Sequence, residues 1–103
     1  LIFAAAEALW YQKRHKEAEK SYKEALTKFP SGIRSERARY NLAMSLLAQG
    51  KRDEAVKLMT DLKNSGQSVW SDSAKQELEL IEWERKYSSV LRTLPPSGLG
   101  IAN

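Results

Sequence analysis

Cysteine is missing from the chain, so neither a disulfide framework nor a thiolate metal site can form. Proline occurs three times and glycine five times, mostly in clumps rather than scattered along the sequence. No apolar run approaches the roughly 18 residues that a membrane span needs. No stretch alternates apolar and polar residues long enough to make a useful strand. A large excess of one charge is lacking too: 17 basic against 13 acidic residues leave a net charge of +4, well short of a nucleic-acid signature. Catalytic motifs are also absent. There is no HExxH, no phosphate-binding glycine loop and no metal-ligand spacing, and the single histidine, His15, has no motif nearby to pair with. No enzyme activity, cofactor or metal is expected.

What remains is a chain of 103 residues, 42% apolar and 29% charged, the size and composition of one globular domain. Ala, Leu, Glu, Lys, Gln and Arg dominate, and all are good helix formers. The opening Leu1-Ile2-Phe3 lacks a Met and is already in helical pattern, which reads as a fragment or a processed chain. A signal peptide or lipid anchor would then lie upstream.

Apolar residues recur at three- and four-residue spacing in five segments. The first holds Ile2, Phe3, Ala5, Ala6, Leu9 and Trp10, and Lys13-Arg14-His15-Lys16 then reads as a turn. The second holds Ala18, Tyr22, Ala25, Leu26 and Phe29 and stops at Pro30-Ser31-Gly32, because proline cannot continue the helical ladder. Ser35 and Glu36 predict the start of the third, with Ala38, Leu42, Ala43, Leu46 and Leu47 on its stripe. Arg52 or Asp53 opens the fourth, which carries Ala55, Val56, Met59 and Leu62, and Asn64-Ser65-Gly66-Gln67-Ser68 reads as a loop. Ser71 or Asp72 caps a longer fifth helix that Pro95-Pro96-Ser97-Gly98 ends, leaving a flexible tail over 95–103.

Placing Ala18 over Ala55 superimposes two helical hairpins. Ala5-Ala6-x2-Leu9 falls on Leu42-Ala43-x2-Leu46, Ala18-x3-Tyr22 on Ala55-x3-Met59, and Lys13 on Gly50. The offset is three residues longer than the usual 34 of a tetratricopeptide repeat. With the closing Pro30, the pattern resembles that family over roughly the first two thirds of the chain, although the second unit has no closing proline and Leu62 stands where the family has a small residue. The junction Phe29-Pro30-Ser31-Gly32 looks like those of bacterial cell-envelope members of the outer-membrane-assembly and Tol-Pal coordinator types. That likeness implies a cell-envelope or periplasmic setting, and the residues themselves leave the cytoplasm open.

The resemblance implies an all-α fold, with antiparallel helical hairpins stacked as a right-handed solenoid. Repeat one would span 1–32, repeat two 35–66 and a long capping helix 71–94. Ser71-Asp72-Ser73-Ala74 lines up with Ser35-Glu36-Arg37-Ala38, so the cap begins as a third leading helix and runs on without turning. The resemblance also implies protein binding along a concave groove lined by the leading helices. Its residues would be Phe3, Glu7 and Trp10 from the first unit, Tyr40, Met44 and Leu47 from the second, and Leu80 and Trp83 from the cap. Trp10, Leu47 and Trp83 are equivalent positions and should form a row. Trp10 and Trp83 could equally complete the core, as large aromatics on helices usually do. The Lys, Arg and Asn cluster with which some members grip a terminal carboxylate has no counterpart at Phe3, Glu7, Tyr40 and Met44.

Basic residues recur at one edge: Lys13, Arg14 and Lys16 beside His15, then Lys51 and Arg52, then Arg85 and Lys86. Stacking would gather them into a positive rim able to dock an anionic surface or nucleic acid, although solvated turns commonly carry such charge. Glu82 and Lys86 are spaced for a local ion pair. The expected partner is another protein or peptide. Self-association into a homo-oligomer is the alternative, since flanks of the stack are left apolar, and nucleic acid is the least supported.

Overall fold

The computed structural model describes residues 1–93, which form five α-helices: α1 (Ile2–Tyr11), α2 (His15–Lys28), α3 (Ile33–Ala48), α4 (Arg52–Ser65) and α5 (Val69–Thr93). Each helix packs on the next in sequence, α1 also on α3, and α3 also on α5. α1 reaches only α2 and α3, and α5 reaches only α3 and α4, so the helices form an open stack of hairpins and not a closed bundle.

The two hairpins are built alike down to their hydrogen bonds. At the first turn the Arg14 amide donates to the Leu9 carbonyl at 3.0 Å, and at the second the Lys51 amide donates to the Leu46 carbonyl at 2.8 Å. This helix ending needs one residue with positive φ. Gly50 supplies it at φ 80°, and Lys13 supplies it at φ 61°, an uncommon conformation for a residue with a side chain. Ala6, Ala18, Ala43 and Ala55 are wholly buried, which lets neighbouring helices approach closely. Tyr22 and Met59 occupy equivalent places in α2 and α4 and are also fully buried. The Tyr22 hydroxyl accepts a hydrogen bond from Asn41 Nδ2 at 3.1 Å. Burial pushes its pKa up to about 12.

Several boundaries differ from the sequence expectation. α3 starts at Ile33, ahead of Ser35. Ser35 is buried, and its hydroxyl donates to the carbonyls of Phe29 at 2.5 Å and Ser31 at 3.0 Å, so it ties the inter-hairpin loop down and does not cap the helix. α5 opens at Val69, not at Ser71 or Asp72, with the Trp70 amide donating to Ser68 Oγ at 3.2 Å. His15 and Lys16 belong to the first turn of α2, and Asn64 and Ser65 to the end of α4. Leu94, the stop at Pro95-Pro96-Ser97-Gly98 and the tail 95–103 lie outside the described residues. No helix among those described is long and apolar enough to cross a membrane.

Glu36 holds the second junction. Its carboxylate accepts the Gln67 amide at 3.1 Å and the Ser68 hydroxyl at 2.5 Å. These bonds, the Ser68 hydroxyl first, keep it below the usual carboxylate range. Gly66 lies beneath this contact, where an added Cβ would sit 2.6 Å from the Leu62 carbonyl and 2.9 Å from Glu36 Oε1.

Candidate functional site

The leading helices α1, α3 and α5 share one face of the stack, and Arg37 is its centre. From α3, Arg37 Nε lies 3.3 Å from Glu7 Oε2 of α1, close enough for an ion pair though not aligned for a hydrogen bond. Its Nη2 donates to the Tyr11 hydroxyl at 3.4 Å. On the other side its guanidinium sits 5.6 Å above the ring of Trp70 of α5. Tyr40, one turn along α3, packs its ring 5.6 Å from the same indole. Burial, and then the charge of Glu77, raise the Tyr40 pKa. Three helices are thus cross-linked at one level by side chains that remain partly accessible.

Trp10 lies at the far end of α1. It is half-buried against the core, with its ring edge-on to Tyr11 at 5.2 Å. Among the described residues its indole N–H is buried and has no acceptor, which costs about 1–3 kcal/mol until one is supplied. Met44 and Leu47 are also half-buried on α3. In the row of equivalent positions, Trp10 and Leu47 pack on the core, whereas Trp83 is 50% exposed and its neighbour Leu80 54%.

Phe3 does not belong to this face as a contact residue. It is only 8% exposed, tilted against Phe29 at 5.9 Å, because the loop after α2 folds back over α1. Arg37, Tyr11 and Trp70 were not expected. Arg37 precedes Tyr40 by one helical turn, and that spacing could have revealed it. Trp70 was hidden by placing the start of the fifth helix too late.

The basic rim is neutralised in part. Arg14 pairs with Glu17 at 2.5 Å, Lys51 with Glu19 at 3.0 Å and Arg85 with Glu82 at 2.6 Å. Glu82 therefore takes Arg85 and not Lys86, one residue nearer along the helix. Lys13, Lys16, Arg52 and Lys86 have no ion pair among the described residues.

Glu19 is a structural acid and not a reactive one. Its carboxylate takes Lys23 at 2.7 Å, and Lys51 and Gln49 at 3.0 Å each. These partners, Lys23 foremost, hold its pKa down to about 2 against the opposing effect of burial.

A family model described as "Tetratricopeptide repeat" matches residues 9–78. No curated protein and no solved structure matches the chain.

Proposed function

The chain belongs to the tetratricopeptide repeat family, whose members are generally non-catalytic protein-interaction modules, and on that premise we propose that it holds a segment of another protein on the face shared by α1 and α3. The observation that carries this reading is the set of half-exposed residues Trp10 on α1 and Tyr40, Met44 and Leu47 on α3, two helices joined by the Glu7–Arg37 pair. Aromatics, Met and Arg are the residues enriched where interfaces bind most tightly. The face extends toward Leu80 and Trp83 on α5.

Each residue has a distinct part. Met44 and Leu47 offer apolar area that an incoming helix or extended strand can cover. Trp10 adds the part of its ring that is left accessible. Arg37, held by Glu7, Tyr11 and Trp70, arrives already ordered, so little entropy is lost when it meets a ligand. The occupant is therefore an apolar segment with backbone or side-chain acceptors, and not a chain-terminal carboxylate. The family match reaches the tetratricopeptide repeat and not a cell-envelope subtype. The Phe29-Pro30-Ser31-Gly32 junction is accounted for locally by Phe29 against Phe3, Arg39 donating to the Pro30 carbonyl and Gly32 at φ 107°.

A displayed library of apolar peptides, selected on the purified protein, tests this. Trp10→Ala and Met44→Ala should each weaken the selected peptide by about tenfold or more while the far-UV circular dichroism stays that of a folded helical protein. Unchanged affinity in both folded variants, or peptides that bind elsewhere, would refute the assignment. If Trp10→Ala unfolds the protein, Met44→Ala carries the test.

A further inference from the structure

α5 behaves as a third leading helix that has lost the means to continue the stack. It starts at Val69 in register with Ile33 of α3, and buried Ala74 stands where Ala38 does. Further along, the register breaks chemically. Ala43 and Leu46, 0% and 1% exposed in α3, correspond to Glu79 and Glu82, which are exposed in α5. A hairpin of the same kind cannot dock tightly where a small residue has become a glutamate. Yet α5 runs on to Thr93 and presents Leu80, Trp83, Tyr87 and Val90 to solvent at 54%, 50%, 39% and 55% exposure. Their spacing of three, four and three residues fits a coiled-coil seam, which starts at the positions Met44 and Leu47 hold in α3 and runs on past the end of that helix.

We propose that this seam pairs antiparallel with the same helix of a second copy of the chain. Placing a two-fold axis level with residues 81–82 sets Leu80 against Trp83 of the partner subunit. It also sets Glu79 beside Lys86 of the partner subunit, and symmetry makes each contact twice. Among the described residues neither Glu79 nor Lys86 makes an ion pair within its own chain. A parallel pair would instead bring Glu79 beside Glu84 of the partner subunit, like against like, so the charges select the antiparallel arrangement. Two shallow depressions of about 420 and 430 Å³ lie on either side of Trp83, both including Glu79. Each can receive an aromatic side chain from the other copy. On the opposite edge Glu84 approaches Glu77 of the partner subunit, a like-charge contact that weakens the pair. The pairing takes up the Leu80 and Trp83 end of the shared face and leaves the part on α1 and α3 for a ligand.

Sedimentation velocity across the micromolar range tests the pairing. The wild-type chain should pass from monomer to dimer as concentration rises. Glu79→Lys and Lys86→Glu should each abolish the dimer, and an equimolar mixture of the two should restore it, because each copy then presents the charge the other lacks. A wild-type monomer at every concentration, a Glu79→Lys variant that still dimerises, or a mixture that stays monomeric overturns the proposal. A monomeric protein that still captures its peptide overturns this inference alone, and a dimer that captures none overturns only the ligand reading.

Discussion

Replacing Glu19 by Gln removes a charge on which two repeats depend. The Glu19 carboxylate, on α2, reaches Lys23 on its own helix and both Gln49 and Lys51 in the turn between α3 and α4. Its pKa falls from 4.5 to about 2 on folding. The unfolded chain therefore binds the proton more readily, and stability rises with pH between those values. The contribution is complete above about pH 4.5 and gone below about pH 2. At 1.36 kcal/mol per pH unit the shift amounts to about 3 kcal/mol. Lys23 and Lys51 are 50% and 45% exposed, so solvent screens them and a released ammonium rehydrates easily. That screening leaves about 1–2 kcal/mol. Urea unfolding of Glu19→Gln at pH 7 should show that loss, with a melting point lower by about 4–12 °C. The gap between wild type and variant should close as pH falls toward 2, since the wild type is then protonated as well. A gap that persists unchanged at low pH would show that Glu19 acts by packing and not by charge, and would refute the reasoning.

Lys13→Gly should stabilise the protein by about 0.5 kcal/mol, because relief of a left-handed residue outweighs the extra freedom of the unfolded chain; a melting point that falls would contradict this. Gly66→Ala should destabilise by about 1–3 kcal/mol through the clash with the Leu62 carbonyl and the Glu36 carboxylate, since Gly66 has no positive φ to relieve. Chemical denaturation decides it: an alanine variant as stable as wild type would mean that α5 shifts at no expense.

The helices were legible because they are local. Ala18 and Ala55, with Tyr22 and Met59 one turn on, announce the repeat by spacing alone, and the matching turns at Lys13 and Gly50 follow from it. What failed was information carried by residues distant in sequence. Ser35 beside Glu36 has the look of a cap, but the carbonyl of Phe29 claims its hydroxyl as a donor. Phe3 shares a helical face with Glu7 and Trp10, and only the return of Phe29 over α1 removes it from the surface. The rim cations were visible, but Lys51 meets Glu19 across a repeat boundary that no spacing rule reveals. Trp70 falls outside the expected fifth helix because Gly66 and Ser68 suggest a longer break than the chain takes. Of the candidate face, the α3 residues Tyr40, Met44 and Leu47 were foreseen, and the arginine that ties them to both neighbouring helices was not.

A repeat stack has no intrinsic end, since each leading helix offers the next hairpin the same flank. In this chain the end is written at two positions. Ala43 and Leu46 are buried in α3, and their counterparts Glu79 and Glu82 resist the same burial, because a further hairpin would have to desolvate two carboxylates, of which only Glu82 has an ion pair among the described residues. Leu80, Trp83, Tyr87 and Val90 remain exposed on the strip of α5 that adjoins these two glutamates. Terminating the repeat and creating a second surface are therefore one event in the sequence. A helix that only needed to cap the domain would have carried polar residues at those four positions as well.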